Sequence, residues 1–435
     1  MPNHGQDNGS RIVRFLFDNS LFLIGGAVVA LVWANVDIAS YRAFVYLDVS
    51  QFVRPADAGH ADPGQHTANA VHPEASSEGH GLTLHFIVND ILMALFFAMA
   101  AKEVWESMLP GGALSNPRRA ATPLLATVGG LVGPAVLYIL GTLLIGQSGW
   151  FGQAGDLGRG WAVPCATDIA FSFLVARLIF GPGHPAIAFL LLLAIADDAA
   201  GLIILAVAYP QALVRPVWLL LAVAAVVVAL LLRRQRLRSF WWYLLIPGTL
   251  SWCSFHFAGI HPALGLVPII PCLPHAHSDL GIFAREELNR PDTLSDFEHW
   301  WKRPVEVFLG LFGLVNAGVV LGNFGAPTGL VLLGLILGKP LGITLFTWIA
   351  ARVFKLEIPG RMSYRHVFTL GTVAGIGFTV ALFMSEAAFP ADQFPGDLRD
   401  AVKMGALASL LAALVAFAVA RLLGIRPPAS HESAA

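Results

Sequence analysis

The chain has 435 residues, of which 56% are hydrophobic and only 13% are charged. A mean hydropathy of +0.68 excludes an ordinary soluble domain, and a formal net charge of −1 gives no indication of nucleic-acid binding. Such a composition requires a lipid bilayer as solvent, so the sequence predicts an all-α polytopic membrane protein.

Apolar stretches recur along the chain, each close to the roughly 20 residues that a helix needs to cross a bilayer. They predict about twelve transmembrane helices, at residues 14–35, 84–107, 118–146, 161–180, 185–208, 216–232, 239–255, 260–273, 304–322, 327–351, 366–389 and 398–424. Residues 36–82 then form a long outer loop, and residues 274–303 form a cytoplasmic loop.

The basic residues indicate the orientation of these spans. If the N-terminus is cytoplasmic, most short basic loops fall on one side, including Arg118, Arg234 and Lys302, as the positive-inside rule requires. Both termini are then cytoplasmic. The outer loop contains four irregularly spaced histidines, His60, His66, His72 and His80. A metal site is one hypothesis for them, but a polar loop with titrating histidines is the favoured interpretation.

Four ionisable residues lie near the centres of predicted spans: Asp168, Asp197, Asp198 and Lys339. Each costs about 2.5–3.5 kcal/mol at the centre of a membrane helix, so these residues must be paired or lie in a water-filled cavity. Three acids against one base predict a site for a small cation. Ion pairs that only hold helices together are the alternative.

Adjacent aspartates on a helix cannot both face one partner squarely, because their side chains point about 100° apart. One of Asp197 and Asp198 can therefore face the ion path while the other pairs with Lys339. Burial and a neighbouring like charge both disfavour an ionised carboxylate. A proton and a cation then compete for one site, which predicts obligatory exchange.

Two predicted spans contain residues that interrupt helices. The fourth contains Pro164, and the eleventh contains Gly371, Gly375 and Gly377. These spans occupy equivalent places in the triplets 3–5 and 10–12, which predicts inverted repeats with two crossed discontinuous helices. Thr167 and Thr379 are candidates to satisfy the freed backbone groups. Close helix packing is the alternative explanation for the glycines.

Four segments resemble the NhaA-type bacterial sodium/proton antiporters, a family built from inverted repeats. They are ATDIAF (166–171), LAIADD (193–198), GKPLGI (338–343) and GIGFT (375–379), in the family's order and spacing across most of the chain. The resemblance implies that Asp198 is the principal sodium and proton carboxylate and that Asp197 beside it is the partner of Lys339. It places Asp168 and Thr167 at the helix crossing.

The resemblance also implies a division of the chain and a mode of transport. We expect a cytoplasmic N-terminus at 1–13, interface parts at 14–113 and 209–325, core repeats at 114–208 and 326–424, and a cytoplasmic tail at 425–435. The family implies electrogenic export of sodium or lithium for a larger number of protons, switched on at alkaline pH. It implies the bacterial inner membrane, a candidate homodimer and no cofactor.

One segment departs from the family. Glu103 is kept in the second span, but Glu106 and Ser107 stand where the family usually has an arginine and a further glutamate implicated in pH sensing. Glu103, and Glu298 in the predicted cytoplasmic loop, are candidate pH-sensing residues. Because of the departure at Glu106 and Ser107, alkaline activation is in doubt. The long outer loop puts in doubt a dimer mediated by a hairpin like that of the family.

Three other functions compete with sodium/proton exchange. An intramembrane aspartyl protease needs two acids facing each other from separate helices, which adjacent aspartates do not provide. A channel needs no paired lysine at this depth. A related antiporter with another cation, or with altered pH regulation, fits the same residues.

Overall fold

The computed structural model describes residues 21–50, 82–147, 157–275 and 292–425. Within these ranges the protein is helical and forms no strand, with one isolated bridge between Asp48 and Thr83. The helices before residue 210 are α1 (Leu21–Val36), α2 (Ile38–Val45), α3 (Leu84–Met108), α4 (Pro117–Gln147), α5 (Gly158–Cys165, a 3₁₀ helix), α6 (Ile169–Phe180) and α7 (Pro185–Ala208). The later helices are α8 (Pro216–Arg234), α9 (240–258), α10 (Pro262–Cys272), α11 (Thr293–Asn316), α12 (Ala326–Arg352), α13 (Tyr364–Ala374), α14 (Phe378–Ala388) and α15 (Gly396–Leu422).

The lengths and composition of these helices agree with a polytopic membrane protein. Six of them, α3, α4, α7, α8, α12 and α15, are long and apolar enough to cross a membrane, and the pairs α5/α6 and α13/α14 form two bent spans. Helices α1, α9, α10 and α11 lie at the four remaining predicted positions. The described chain therefore has a helical segment at each of the twelve predicted spans.

Two predicted boundaries differ from the structure. Helix α11 begins at Thr293, with the amide of Leu294 donating to Asp292 Oδ1, although the sequence predicted a loop to residue 303. The charged residues of its first turns lower the local hydropathy, yet they are compatible with a helix whose polar face is solvated. The predicted outer loop contains α2, and its four histidines lie outside the described residues.

The first helix of each triplet packs against its counterpart. A Cβ atom on Gly129 of α4 would lie 2.2 Å from the carbonyl oxygen of Gly342 of α12, and one on Gly133 would lie 2.3 Å from that of Gly338. Only glycine allows backbones to approach so closely, a common device where lipid-embedded helices associate. The two triplets are thereby fixed to each other along α4 and α12.

The second helix of each triplet is broken, as predicted. Helices α5 and α6 meet at 48°, and α13 and α14 meet at 54°. In the second break, a Cβ atom on Gly375 would lie 2.5 Å from the carbonyl oxygen of Leu335. Close packing therefore requires this glycine, and it lies at the interruption itself.

Candidate ion-binding site

The two broken helices cross at Asp168. The backbone amide of Asp168 donates to the carbonyl oxygen of Ile376 at 2.7 Å, which joins one break to the other. The Asp168 carboxylate accepts from the amide of Phe171 at 3.2 Å and from the amide of Thr379 at 3.2 Å. The Thr379 hydroxyl donates to the same carboxylate. Asp168 thus caps α6 and α14 simultaneously.

This position explains how an aspartate is accommodated at the crossing. Each helix N-terminus carries unsatisfied amides and about half a positive charge, which favours an anion beside it. Asp168 meets two such ends and is almost completely buried. The amides of Gly377 and Phe378, also at the start of α14, donate to the Ser409 hydroxyl at 3.3 and 3.0 Å. Neighbouring side chains therefore satisfy the donors that the second break exposes.

Lys339 and Asp197 form a wholly buried ion pair. Lys339 Nζ lies 3.0 Å from Asp197 Oδ2 and donates at 2.5 Å to the carbonyl oxygen of Cys165, the last residue of α5. The Thr167 hydroxyl donates to the same Asp197 oxygen at 2.6 Å. The lysine therefore meets both a carboxylate and the negative end of a broken helix. Its helix contains a π-helical stretch, Gly334–Gly338, immediately before it.

Asp197 and Asp198 have different environments. Asp197 Oδ2 accepts hydrogen bonds from both the Lys339 ammonium and the Thr167 hydroxyl. Its Oδ1 is buried without a hydrogen-bond partner in the described part of the chain. The Asp198 side chain makes no hydrogen bond or ion pair with any described residue. Asp197 is thus the aspartate that pairs with Lys339. Asp198 faces open space.

That space is a cavity of about 230 Å³. Asp168, Asp198 and Thr379 line its inner part, and it extends to Glu103 and Glu298 near the ends of α3 and α11. We call its outer part, at Glu103 and Glu298, the mouth. Beyond Asp198, toward the C-terminal end of α7, there is only a pocket of about 20 Å³ lined mainly by apolar residues. Phe97, Leu205 and Met384 are among them. Asp168 and Asp198 are therefore accessible from one end of the bundle.

The candidate pH-sensing residues lie at the mouth of this cavity. Glu103 is exposed and lines it. Glu298 is bound by the buried ammonium of Lys102, which also contacts Glu106 at 2.6 Å. The Ser107 hydroxyl donates to the carbonyl oxygen of Val104 within its own helix. Of the two residues that depart from the family pattern, Glu106 therefore belongs to a cluster centred on Lys102, which joins α3 to α11.

Sequence reasoning missed three groups around the site. Glu306 lines the cavity near the middle of α11. The predicted span 304–322 put it at the beginning of a helix, so it did not stand out as a buried charge. Ser409 caps α14 from α15, and no sequence pattern distinguishes it from other serines in apolar helices. The Cys165 carbonyl binds Lys339 through its backbone, so its residue type carries no signal. A hydropathy window that tolerates charges on one helix face would have found Glu306.

The fold and the site together define a class of protein. Two crossed, discontinuous helices in equivalent places of two repeats, with buried carboxylates at the crossing, are the architecture of a group of secondary transporters. A family model described as Na+/H+ antiporter 1 matches residues 11–420, and the chain belongs to that family.

Individual relatives match over nearly their whole length. A protein of Jannaschia sp. (strain CCS1) named Na(+)/H(+) antiporter NhaA is 46% identical over 442 residues, which cover 96% of this chain and 99% of the relative. Proteins of the same name from Desulfitobacterium hafniense (strain DSM 10664 / DCB-2) and Geobacter sulfurreducens are 43% and 42% identical. These two matches cover 96% and 95% of this chain, and 97% and 98% of the respective relatives.

Proposed function

We propose that the protein is a secondary antiporter that exports sodium or lithium in exchange for protons, with Asp198 as the carboxylate that binds the two in turn. One observation carries the proposal. Of two adjacent buried aspartates, Asp197 is held by Lys339, while Asp198 lacks a side-chain partner in the described chain and lines the cavity. A carboxylate so placed can accept either a cation or a proton from the cavity.

The ligands available near Asp198 suit a hard cation. Such ions prefer carboxylate, carbonyl and water oxygens. Asp198 supplies a carboxylate, and the buried Oδ1 of Asp197 supplies an oxygen that no described residue uses. Sodium therefore binds at Asp198 and Asp197 when Asp198 is ionised, and a proton on Asp198 removes the charge that holds it. Occupancy by one excludes the other, which couples the two fluxes.

Alternating access converts this competition into transport. The site is reached through the cavity on one side and closed by Phe97, Leu205 and Met384 on the other. The positive-inside rule makes the open side cytoplasmic and both termini cytoplasmic in the bacterial inner membrane. The core repeats, 114–208 and 326–424, move against the interface parts, 14–113 and 209–325. Competition at Asp198 alone exchanges one proton for one sodium, so the electrogenic exchange that the family resemblance implies requires a second protonatable group in the same cycle. The interface parts are the candidate surface for a homodimer.

A proton-flux assay tests this function. The purified protein is reconstituted into liposomes, and a pH-sensitive dye follows the lumen after sodium, lithium, potassium or choline is added. We expect sodium and lithium to drive proton movement and choline to drive none. Failure of both sodium and lithium to move protons, in protein whose thermal unfolding shows that it is folded, would refute the proposal.

A second candidate is the same exchange with altered pH regulation. The contacts of Lys102 with Glu106 and Glu298 favour it, since Glu106 stands where the family usually has an arginine. Repeating the flux assay from mildly acidic to alkaline pH separates the two. A rate that rises steeply with pH supports alkaline activation, and a flat profile supports altered regulation.

A further inference from the structure

The outer half of α14 packs against the interface parts. The Phe383 ring meets those of Phe97 in α3 and Phe312 in α11, with centroid separations of 4.8 and 6.0 Å. The ring of His261, just before α10, lies 4.9 Å from it. Phe97 also lines the small pocket on the closed side of Asp198. These aromatic contacts therefore contribute to closing the outer side in the state that the structure shows.

A polar contact continues this closure toward the outer end of α14. His85, in the first turn of α3, places its Nε2 atom 3.1 Å from Oε1 of the buried Glu386. Glu386 is also bound by Arg399, at 3.0 Å, and by Lys403, both in α15. Because Glu386 faces two cations, it is the acceptor, and the imidazole N–H is the donor. The contact joins an interface part to a core repeat.

His85 is fixed within the interface parts. Its ring contacts the side-chain amide of Asn89, one turn along α3, at 2.9 Å. The amides of Asn89 and of Asn316 in α11 exchange two hydrogen bonds, of 3.1 and 2.8 Å. Glu386 is fixed in the same way by the two cations of its own core repeat. A movement of the core repeat against the interface part must therefore break the contact between His85 and Glu386.

This contact can open without leaving a buried charge unpaired. Arg399 and Lys403 belong to the same core repeat as Glu386, so they remain beside it when it moves. The His85 side chain is 21% exposed, so water can replace the carboxylate as its partner. Losing such a hydrogen bond costs much less than separating a buried ion pair. The contact therefore suits a movement that is repeated in every transport cycle.

We infer that His85 and Glu386 form an outer latch, which holds the outer side of the transporter closed while the cytoplasmic cavity is open. This inference rests on the alternating access of the proposed function. In the outward-open state α14 separates from α3, and the latch is broken. Without the latch, the population of the outward-open state rises about ten-fold, since a hydrogen bond to a charged group stabilises only the closed state.

Thiol labelling from the outer face tests the inference. Met384 lines the pocket on the closed side of Asp198, which makes Met384→Cys a probe of outer opening. The probe is placed in a chain whose three native cysteines are replaced by alanine, and a membrane-impermeant maleimide is added to right-side-out vesicles. His85→Leu keeps an apolar side chain but cannot donate a hydrogen bond. It should raise the labelling rate about ten-fold.

Sodium affinity measured from each face gives a second readout. Apparent affinity falls in proportion to the fraction of molecules in the binding-competent state. His85→Leu should therefore lower the KM for sodium added at the outer face by about five- to ten-fold. The KM for cytoplasmic sodium, measured in everted vesicles, should stay within about two-fold, because the cytoplasm-open state remains the major one.

Three further variants complete the test. His85→Gln keeps a hydrogen-bond donor and should behave like the unmutated protein. His256→Leu makes the same change at an exposed histidine near the outer end of α9, which packs on Phe86 and Trp252 of the interface parts. It should change neither readout. His85→Ala also removes the latch, and it provides the measurement if the leucine variant fails to fold.

Two results would overturn the inference. One is an unchanged labelling rate and an unchanged outer KM in folded His85→Leu. The other is an equal effect of His85→Gln, which would assign His85 to packing against Tyr46, whose ring stacks on it at 5.5 Å. Labelling requires no transport. The absence of sodium-driven proton flux in the unmutated protein is therefore a separate failure, that of the proposed function.

Discussion

Replacing Asp198 by asparagine is expected to reduce sodium-driven proton movement to the background of protein-free liposomes. Asparagine has nearly the shape of aspartate, but it carries no charge to hold sodium and cannot exchange a proton in this range of pH. The Asp198 side chain makes no hydrogen bond or ion pair with the described residues, so its replacement should not unfold the protein. Activity should be lost while the unfolding temperature is kept.

Asp397→Asn is the matched control for this variant. It makes the same change at an exposed aspartate in the first turn of α15, away from the cavity. We expect it to transport normally. Sodium-dependent proton flux in Asp198→Asn comparable with that of this control would remove the basis of the proposed mechanism.

Replacing Lys339 by methionine is expected to have the largest effect on stability. The change leaves the Asp197 carboxylate buried and without its counter-ion, with only the Thr167 hydroxyl still donating to Oδ2. Breaking a buried pair by removal of one partner costs about 3–5 kcal/mol. Thermal unfolding in detergent, followed by tryptophan fluorescence, should show a large fall in the unfolding temperature.

The double variant Asp197→Asn/Lys339→Met separates this charge effect from lost packing. With both charges removed, no ion remains to be desolvated, and we expect more than half of the lost stability to return. If the two single losses simply add in the double variant, Lys339 stabilises the crossing through its contact with the Cys165 carbonyl and not through Asp197. The double-mutant cycle therefore distinguishes the two contacts of this ammonium.

Most of the fold could be predicted from the sequence because a bilayer imposes strong constraints. Every span needs about 20 apolar residues, and interruptions such as Pro164 and Gly375 are visible within them. Helix α11 was misjudged at its beginning, since its first turns are charged on the face that lines the cavity. Hydropathy averages over all faces of a helix, so it cannot distinguish a charged loop from a charged helix face.

The sequence indicated which charged residues lie together inside the helical bundle, but not which contacts they make. Charges that a membrane disfavours identified Asp168, Asp198 and Lys339, and the broken helices indicated that they meet. The sequence did not reveal that Asp168 caps two helices or that Lys339 also binds a backbone carbonyl. Those contacts depend on the positions of backbone groups from distant segments, which no side-chain pattern encodes.

Proton release on sodium binding tests the central claim most directly. Sodium is titrated into purified protein in a weakly buffered detergent solution at alkaline and at mildly acidic pH, and a pH dye reports released protons. If sodium and a proton compete for Asp198, sodium should release protons saturably at the pH where Asp198 is partly protonated, and choline should release none. Asp198→Asn should release none in either solution. Sodium binding detected by calorimetry without proton release, or equal release by Asp198→Asn, would contradict competition at this carboxylate.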